Sequence, residues 1–294
     1  MFILGILPRS GTNFLYNLLM LHPDCAPPDP VWEDFLLRHS DLLLEYAQKV
    51  AAEWDPNWGV DRQTRVDLEQ AIGGGLERFL QARCASRQVV TKTPRVDKLD
   101  QFFRLFPRAR LLILIRDGRA VIESGVRSFG WRRESALHAV AESAALINRF
   151  LADHAERQAQ FRLVRYEDLW LDTEAQVRGL LEFLDLEPGP YDFEQARNLP
   201  VRGSSDLARE DSEALHWDPV QRPADFDPLS RFASWGNSRH FRYNHVAGRA
   251  METLGYRGVA VGSGFGTRKL WNLALDAAWQ VKRLLRPLFG PLAR

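Results

Sequence analysis

Cysteine is nearly absent: the 294 residues hold only Cys25 and Cys84. Two cysteines give no disulfide framework and no cysteine-rich metal site. The 7 histidines are scattered, and His240 and His245 do not stand at a helical ligand spacing, so no metal is expected. No apolar run approaches the ~20 residues of a membrane span. The first apolar run starts without a basic leader, so no signal peptide is expected and the chain reads as cytoplasmic. Charge of one sign is missing as well: 39 basic residues face 38 acidic ones. That balance leaves no global field to draw nucleic acid, and no nucleic-acid partner is expected. Lysine is scarce, five residues against 34 arginines. There is no internal repeat and no low-complexity tract.

What is present concentrates in the first two dozen residues. Phe2, Ile3, Leu4 and Ile6 form an apolar run long enough for one buried strand. Pro8-Arg9-Ser10-Gly11-Thr12-Asn13 is a turn of small and polar residues, and Phe14, Leu15, Leu18, Leu19 and Leu21 then recur at helical spacing. A strand–loop–helix of this kind aims backbone N–H groups and the positive end of a helix at one point, which favours an anion. Gly11 lets the backbone approach closely. Ser10 and Thr12 add hydroxyl donors and Arg9 a full charge. The usual nucleotide loop has four residues between its glycines, then Lys and Ser or Thr. Here five residues separate Gly5 from Gly11, and no lysine follows. A plain strand-to-helix turn with an exposed arginine fits the same residues.

Further along, the pattern predicts a helix over Val31–Val50, with Glu33 and Asp34 in its first turn, where carboxylates are often only dipole partners. A second helix is expected from about Asp67 to Cys84, broken or kinked at Gly73-Gly74-Gly75. Strands are expected at Gln88–Thr91, Arg110–Ile115 and Phe161–Arg165, separated by helices over Asp97–Phe106, Ala120–Arg127 and Glu134–Gln158. Asp172 or Thr173 caps a helix running to about Leu184. Strands alternating with helices imply an α/β fold with a parallel sheet covered on both faces, and ligands beyond the carboxyl ends of its strands. Arg9, Lys92, Arg116 and Tyr166 all fall at those ends. His22, just after the first helix, fits a structural role on exposed carbonyls better than a catalytic one. Pro188–Pro228 reads as irregular, Arg239–Leu254 as helix, and Gly262–Gly266 as a joint.

These residues resemble the sulfotransferases that use 3′-phosphoadenosine 5′-phosphosulfate. LPRSGTNFLYNLLMLHPD is similar to that family's loop for the 5′-phosphosulfate, and LILIRDGRAVIES to its second motif, where an arginine and a serine eight residues later hold the 3′-phosphate. KTPR and RYEDL stand in the expected order. The resemblance covers roughly residues 1 to 185, with weaker support from Phe232 to Tyr256, and is nearest to the tyrosylprotein and bacterial branch. It implies a sheet like that of nucleotide kinases with a helical cap, in a domain over residues 1–260. It further implies Arg9, Ser10, Gly11, Thr12 and Asn13 at the phosphosulfate, Arg116 and Ser124 at the 3′-phosphate, Tyr166 and Ser234 beside the cofactor, Arg9 and Lys92 as catalytic cations, and Glu33 as the base. Trp32 and Phe35 are expected to exclude water from Glu33. The family's next 3′-phosphate arginine would fall at Ser128, with Arg127 one place early. Adenosine 3′,5′-bisphosphate would be the product, with no metal required.

The acceptor stays open: a glycan, a lipid, a small metabolite or a protein tyrosine. Two other readings remain, a nucleotide-dependent kinase-like enzyme and a non-catalytic scaffold of the same fold. Residues 261–294 form an extension whose helix, Arg268–Arg286, carries an apolar stripe of Leu270, Leu273, Ala277, Val281, Leu284 and Leu285. Arg268, Lys269, Lys282, Arg283 and Arg286 surround the stripe against a single acid, Asp276. Such a helix fits a membrane surface, a homodimer partner or its own domain.

Overall fold

The computed structural model describes residues 1–85, 88–202, 219–262 and 267–285, the side chains of Thr267, Arg268 and Leu285 excepted. In order, the strands are β1 Phe2–Gly5, β2 Cys25–Ala26, β3 Gln88–Val89, β4 Thr91–Thr93, β5 Leu111–Ile115 and β6 Phe161–Arg165. The helices are α1 Thr12–Leu19, α2 Ser40–Ala52, α3 Arg62–Gln81, α4 Phe102–Leu105, α5 Gly118–Phe129, α6 Arg133–Asp153, α7 Tyr166–Leu171, α8 Thr173–Phe183 and α9 Phe193–Arg197. After them come α10 Asn237–Tyr243, a π-helical turn Asn244–Gly248, α11 Arg249–Thr253 and α12 Thr267–Leu285. Residues 263–266 of the expected joint, 203–218 of the expected irregular stretch, and Arg286 lie outside the described residues.

The main sheet runs β4-β1-β5-β6, and every pairing is parallel. Alternation along its strands sends residues to opposite faces. Phe2, Leu4, Leu111, Ile113 and Ile115 join Phe102, Phe106 and Phe150 in one buried cluster. Ile3, Leu112, Leu114 and Val164 join Leu15, Leu18 and Leu19 of α1 and Val177, Leu180 and Leu181 of α8 in the other. The sheet is thus covered on both faces, as its continuous apolar strands require. β1 has β4 on one side and β5 on the other, so the chain reverses direction across the sheet at β1. The crevice such a reversal opens lies over the carboxyl end of β1.

Three local expectations need correction. The helix expected from Val31 begins only at Leu37, as a 3₁₀ turn to His39 leading into α2. Residues before it are held out of helix by β4: Asp34 N–H donates to the Lys92 carbonyl at 3.2 Å, and Phe35 N–H donates to Thr93 Oγ1 at 3.1 Å. Phe35 takes a left-handed φ of 48° there. Lys92 itself lies inside β4, paired with Ile3, rather than beyond its end. The glycine triplet does not break α3, which runs unbroken over Arg62–Gln81.

Gly73 serves close packing instead. A Cβ there would stand 1.8 Å from the Leu105 carbonyl oxygen at the end of α4. Nearby, Arg104 Nη2 on α4 donates to Glu69 Oε1 on α3 at 2.8 Å. Gly73→Ala is therefore expected to lower stability by about 1–3 kcal/mol, because the obstacle is backbone and overrides the helical preference for alanine. Gly74→Ala, whose nearest contact would be 3.6 Å away, is expected to raise it by roughly 0.5–1 kcal/mol. Urea denaturation midpoints check both, and shifts of the same sign would refute the packing account.

α12 packs against the domain through its polar side. Asn272 is buried and accepts from Arg242 Nη1 at 3.3 Å, Asp276 Oδ1 stands 2.8 Å from the same nitrogen, and the Trp279 ring stacks on His138 at 4.2 Å. The apolar stripe expected to seek a partner faces away, with Leu270, Leu273, Val281 and Leu284 each more than half exposed. Among the described residues no helix is long and apolar enough to cross a membrane.

Candidate functional site

The loop between β1 and α1 is tied down by groups from β5 and α5. Arg9 adopts a left-handed φ of 76°. That conformation disfavours a residue with a Cβ by about 1–2 kcal/mol, and such strain tends to persist where a site needs it. Arg116 holds it: its Nη1 donates to the Arg9 carbonyl at 2.9 Å. Arg9 Nε in turn donates to Ser124 Oγ at 3.0 Å. Gly11 is required twice over. Its φ is 99°, and a Cβ would fall 2.3 Å from Cδ2 of Tyr166. Thr12 opens α1, so the first N–H groups of that helix have no preceding turn to accept them.

Arg116 is buried, with its Cζ 4.2 Å from the centre of the Tyr166 ring, and its Nη2 donates to the Pro228 carbonyl. Burial pushes the Tyr166 phenol above its ordinary range. The turn after β5 is fixed from behind, where Asp117 N–H donates to Glu167 Oε1 at 2.9 Å and Tyr256 Oη donates to Glu167 Oε2 at 2.6 Å.

A cleft of about 800 Å³ opens over these strand ends. Arg9, Gly11, Thr12, Asn13, Glu33, Arg116, Ser124 and Tyr166 line it. Ser10 is wholly buried within the loop beneath it. Lys92 is buried behind the wall and reaches the site through Glu33, with Nζ 2.9 Å from Oε1. Trp32 does not screen Glu33 from water, since it is 67% exposed and the cleft wall is Phe35 instead. The neighbouring carboxylate is differently employed. Asp34 Oδ2 accepts from Thr91 Oγ1 at 2.7 Å and Oδ1 from Leu36 N–H at 2.9 Å, and burial pushes its pKa up.

Ser234 does not join the site. It is exposed and does not line the cleft, whereas Arg231, three residues earlier, does and donates from Nη1 to Ser124 Oγ at 3.3 Å. Arg127 points back to Glu123, with Nε 3.7 Å from Oε1, and Ser128 does not line the cleft either. His22 is buried away from it, accepting from Asp24 N–H on Nδ1 and facing the Glu187 carbonyl through Nε2. Arg222, Arg231 and the aromatic walls Trp131 and Trp170 escape sequence reading. Arg222 and Arg231 are brought in from a distant segment, whereas Trp131 follows α5 directly and Trp170 stands one helical turn after Tyr166 on α7.

The charge of the cleft is one-sided. Among the described residues its lining holds eight arginines and a single carboxylate, Glu33. Buried Ser10 Oγ, Arg116 Nε and Arg222 Nε have no hydrogen-bond partner among the described residues. Of these, Arg116 and Arg222 line the cleft, and a buried guanidinium N–H without a partner there suits an anion. Aromatic faces at Trp131, Tyr166 and Trp170 complete a wall suited to a flat ring. The arrangement can hold a polyanion bearing an aromatic group and set one carboxylate beside one ammonium at its end.

Comparison with known proteins converges on one group. Residues 1–190 match the sulfotransferase family. The chain is 26% identical over 245 residues to protein-tyrosine sulfotransferase A of Caenorhabditis elegans, covering 78% of this chain and 60% of that protein. It is 30% identical over 138 residues to nodulation protein NoeE of Sinorhizobium fredii, covering 44% of this chain and 31% of that protein. The chain thus spans less than two thirds of these relatives' length. Among solved structures, the sulfotransferase domain from the curacin biosynthetic pathway superposes with a TM-score of 0.55 at 20% identity, over 88% of this chain and 98% of that one. That likeness shows a common fold.

Proposed function

The chain belongs to the sulfotransferase family, and on that premise we propose that it moves a sulfuryl group from 3′-phosphoadenosine 5′-phosphosulfate to an acceptor hydroxyl. The observation that carries this reading is the arginine-lined cleft at the open end of the β1–α1 loop, with the Glu33–Lys92 pair in its wall. The unsatisfied buried donors Arg116 Nε and Arg222 Nε, both on cleft-lining residues, fit such a donor molecule. When bound, it supplies the activated sulfuryl group.

This chain's residues then divide the work. The N–H groups opening α1, with Ser10 and Thr12, hold the 5′-phosphate end. Arg116 and Ser124 hold the 3′-phosphate, with Arg231, which donates to Ser124 Oγ, as the third contact that the motif spacing left between Arg127 and Ser128. Arg9 and Lys92 stabilise negative charge as it grows on the departing phosphate oxygen. Glu33 takes the proton that the acceptor hydroxyl loses as its oxygen bonds to sulfur. The acceptor is a glycan, lipid, metabolite or tyrosine hydroxyl. Residues 1–260 carry the reaction, and residues 261–294 are an appended surface for a membrane or a second copy.

Calorimetry with adenosine 3′,5′-bisphosphate in the presence of a chelator tests the reading. Binding without metal is expected, with ATP much weaker. Arg116→Ala should cost about 1.5–3 kcal/mol, roughly a 10- to 150-fold loss of affinity. Equal affinity in parent and variant would remove Arg116 from the site, and tight metal-dependent ATP binding would favour a kinase-like enzyme.

A further inference from the structure

Beside the cleft stands a buried carboxylate that the reaction does not use. Glu123 is on α5, one residue before Ser124, and it does not line the cleft. Its side chain is only 6% exposed. Burying a charge is costly unless partners hold it, and a negative charge so near an anion site adds repulsion. Three residues hold this one. Arg133 of α6 donates to both carboxylate oxygens, with Nη2 3.2 Å from Oε1. Arg127 Nε stands 3.7 Å from Oε1, and Trp235 Nε1 donates to Oε2 at 2.8 Å. The Arg133 bonds first, and then the Trp235 bond, outweigh burial and pull the Glu123 pKa down to about 2. The carboxylate is therefore a fixed charge at neutral pH.

Neutralising the acid takes only the two arginines. The tryptophan bond links it to the segment that carries Arg231. Ala233 N–H donates to the Ser230 carbonyl at 2.8 Å, and Trp235 N–H donates to the Phe232 carbonyl at 2.9 Å. Two successive turns thus fix the path from Arg231 to Trp235. At one end of that path Arg231, buried, donates to Ser124 Oγ at 3.3 Å. At the other end Trp235 reaches Glu123, the neighbour of Ser124 on α5. We propose that Glu123 is a positioning residue, which through Trp235 Nε1 sets Arg231 against Ser124 for the 3′-phosphate. The inference rests on Arg116, Ser124 and Arg231 being the 3′-phosphate site. An arginine side chain has many rotamers, so fixing its backbone lowers the entropy lost when it is ordered on a phosphate.

The consequence is confined to one end of the cofactor. Glu123 and Trp235 make no contact with the β1–α1 loop, which is assigned to the 5′-phosphate. Loss of the tryptophan bond is therefore expected to fall on ligands that carry a 3′-phosphate and to spare those that do not. The segment should stay in place without that bond, because Phe232 between its ends packs on Arg119, whose Cζ is 4.3 Å from the ring centre.

Calorimetry on the full chain with adenosine 3′,5′-bisphosphate and with adenosine 5′-monophosphate decides it. The ratio of the two affinities is the preference for a 3′-phosphate. Trp235→Phe keeps an aromatic ring and removes the N–H. Glu123→Gln keeps the size but leaves one acceptor oxygen where donors face two. Each is expected to lower the preference by about threefold or more, with monophosphate binding unchanged. Arg231→Gln removes the contact itself and should lower it by about tenfold or more. Because Trp235 acts through Arg231, the double variant should lose no more than Arg231→Gln alone. An unchanged preference in Trp235→Phe and Glu123→Gln, or a double variant whose losses multiply, overturns the positioning role. So does an equal loss of both ligands, or a lower melting temperature with the preference kept, since either marks a merely structural residue. A parent chain with no preference for the bisphosphate would overturn the 3′-phosphate site first, and this inference with it.

Discussion

Replacing Glu33 with glutamine is expected to slow turnover by roughly 10²-fold or more while leaving affinity for adenosine 3′,5′-bisphosphate nearly unchanged. Glutamine keeps the size of the side chain and can still accept a hydrogen bond, but it cannot take a proton from an acceptor hydroxyl. Among the described residues Glu33 is the one carboxylate lining the cleft. Its side chain is about a third exposed, so an acceptor can reach it, and its Oε1 is already within 2.9 Å of the Lys92 ammonium. Asp34 is the natural rival, one residue away. Its two oxygens are occupied by Thr91 Oγ1 and the Leu36 N–H, and it does not line the cleft. Asp34→Asn should therefore act on stability, costing about 1–3 kcal/mol for a disturbed buried acceptor, with turnover per folded molecule largely kept. Single-turnover kinetics with a true acceptor, alongside thermal melts, separate the two. Normal turnover in Glu33→Gln together with lost turnover in Asp34→Asn would transfer the role of base to Asp34.

The same segment shows where sequence reading stops. β1, its loop and α1 are legible because they are contiguous: an apolar run, a small-residue turn and a helical period follow one another. β5 is legible for the same reason, as five apolar residues bounded by arginines. The stretch from Val31 to Leu36 carries a helical period yet is not helical. Its backbone is claimed by Thr93 and Lys92, 58 residues away, and no local pattern announces such partners. Gly73 misleads in the opposite sense. Glycine in a helix suggests a break, and only the Leu105 carbonyl against it reveals that the residue is there for closeness. At the site, motif residues that flank strands came together, while Arg231 could be found only once the chain returned it to Ser124 across 107 residues. In α12 the amphipathic period was plain, but which face is docked depends on Arg242 and His138, and the helix itself carries no sign of them.

Lys92→Met should separate catalysis from stability in one substitution. Lys92 sits in β4 opposite Ile3, with its side chain buried and its Nζ 5.7 Å over the Tyr16 ring and 2.9 Å from Glu33. Methionine fills nearly the same volume and removes the charge. Replacing a buried cation by a well-packed apolar chain is often neutral or stabilising, provided the abandoned partner can still reach water. Glu33 is partly exposed, so it can. The melting temperature is therefore expected to hold or rise. Turnover is expected to fall by about 10²–10³-fold, the scale of losing one positioned charge from an oxygen that turns negative in the transition state. The double variant with Glu33→Gln should be no slower than the product of the two losses and is expected to be faster than it, because base and cation flank one reacting centre. A purely structural lysine gives the opposite pattern, a lower melting temperature with turnover per folded molecule preserved. That result would take Lys92 out of the mechanism and leave Arg9 as the cation at the leaving oxygen.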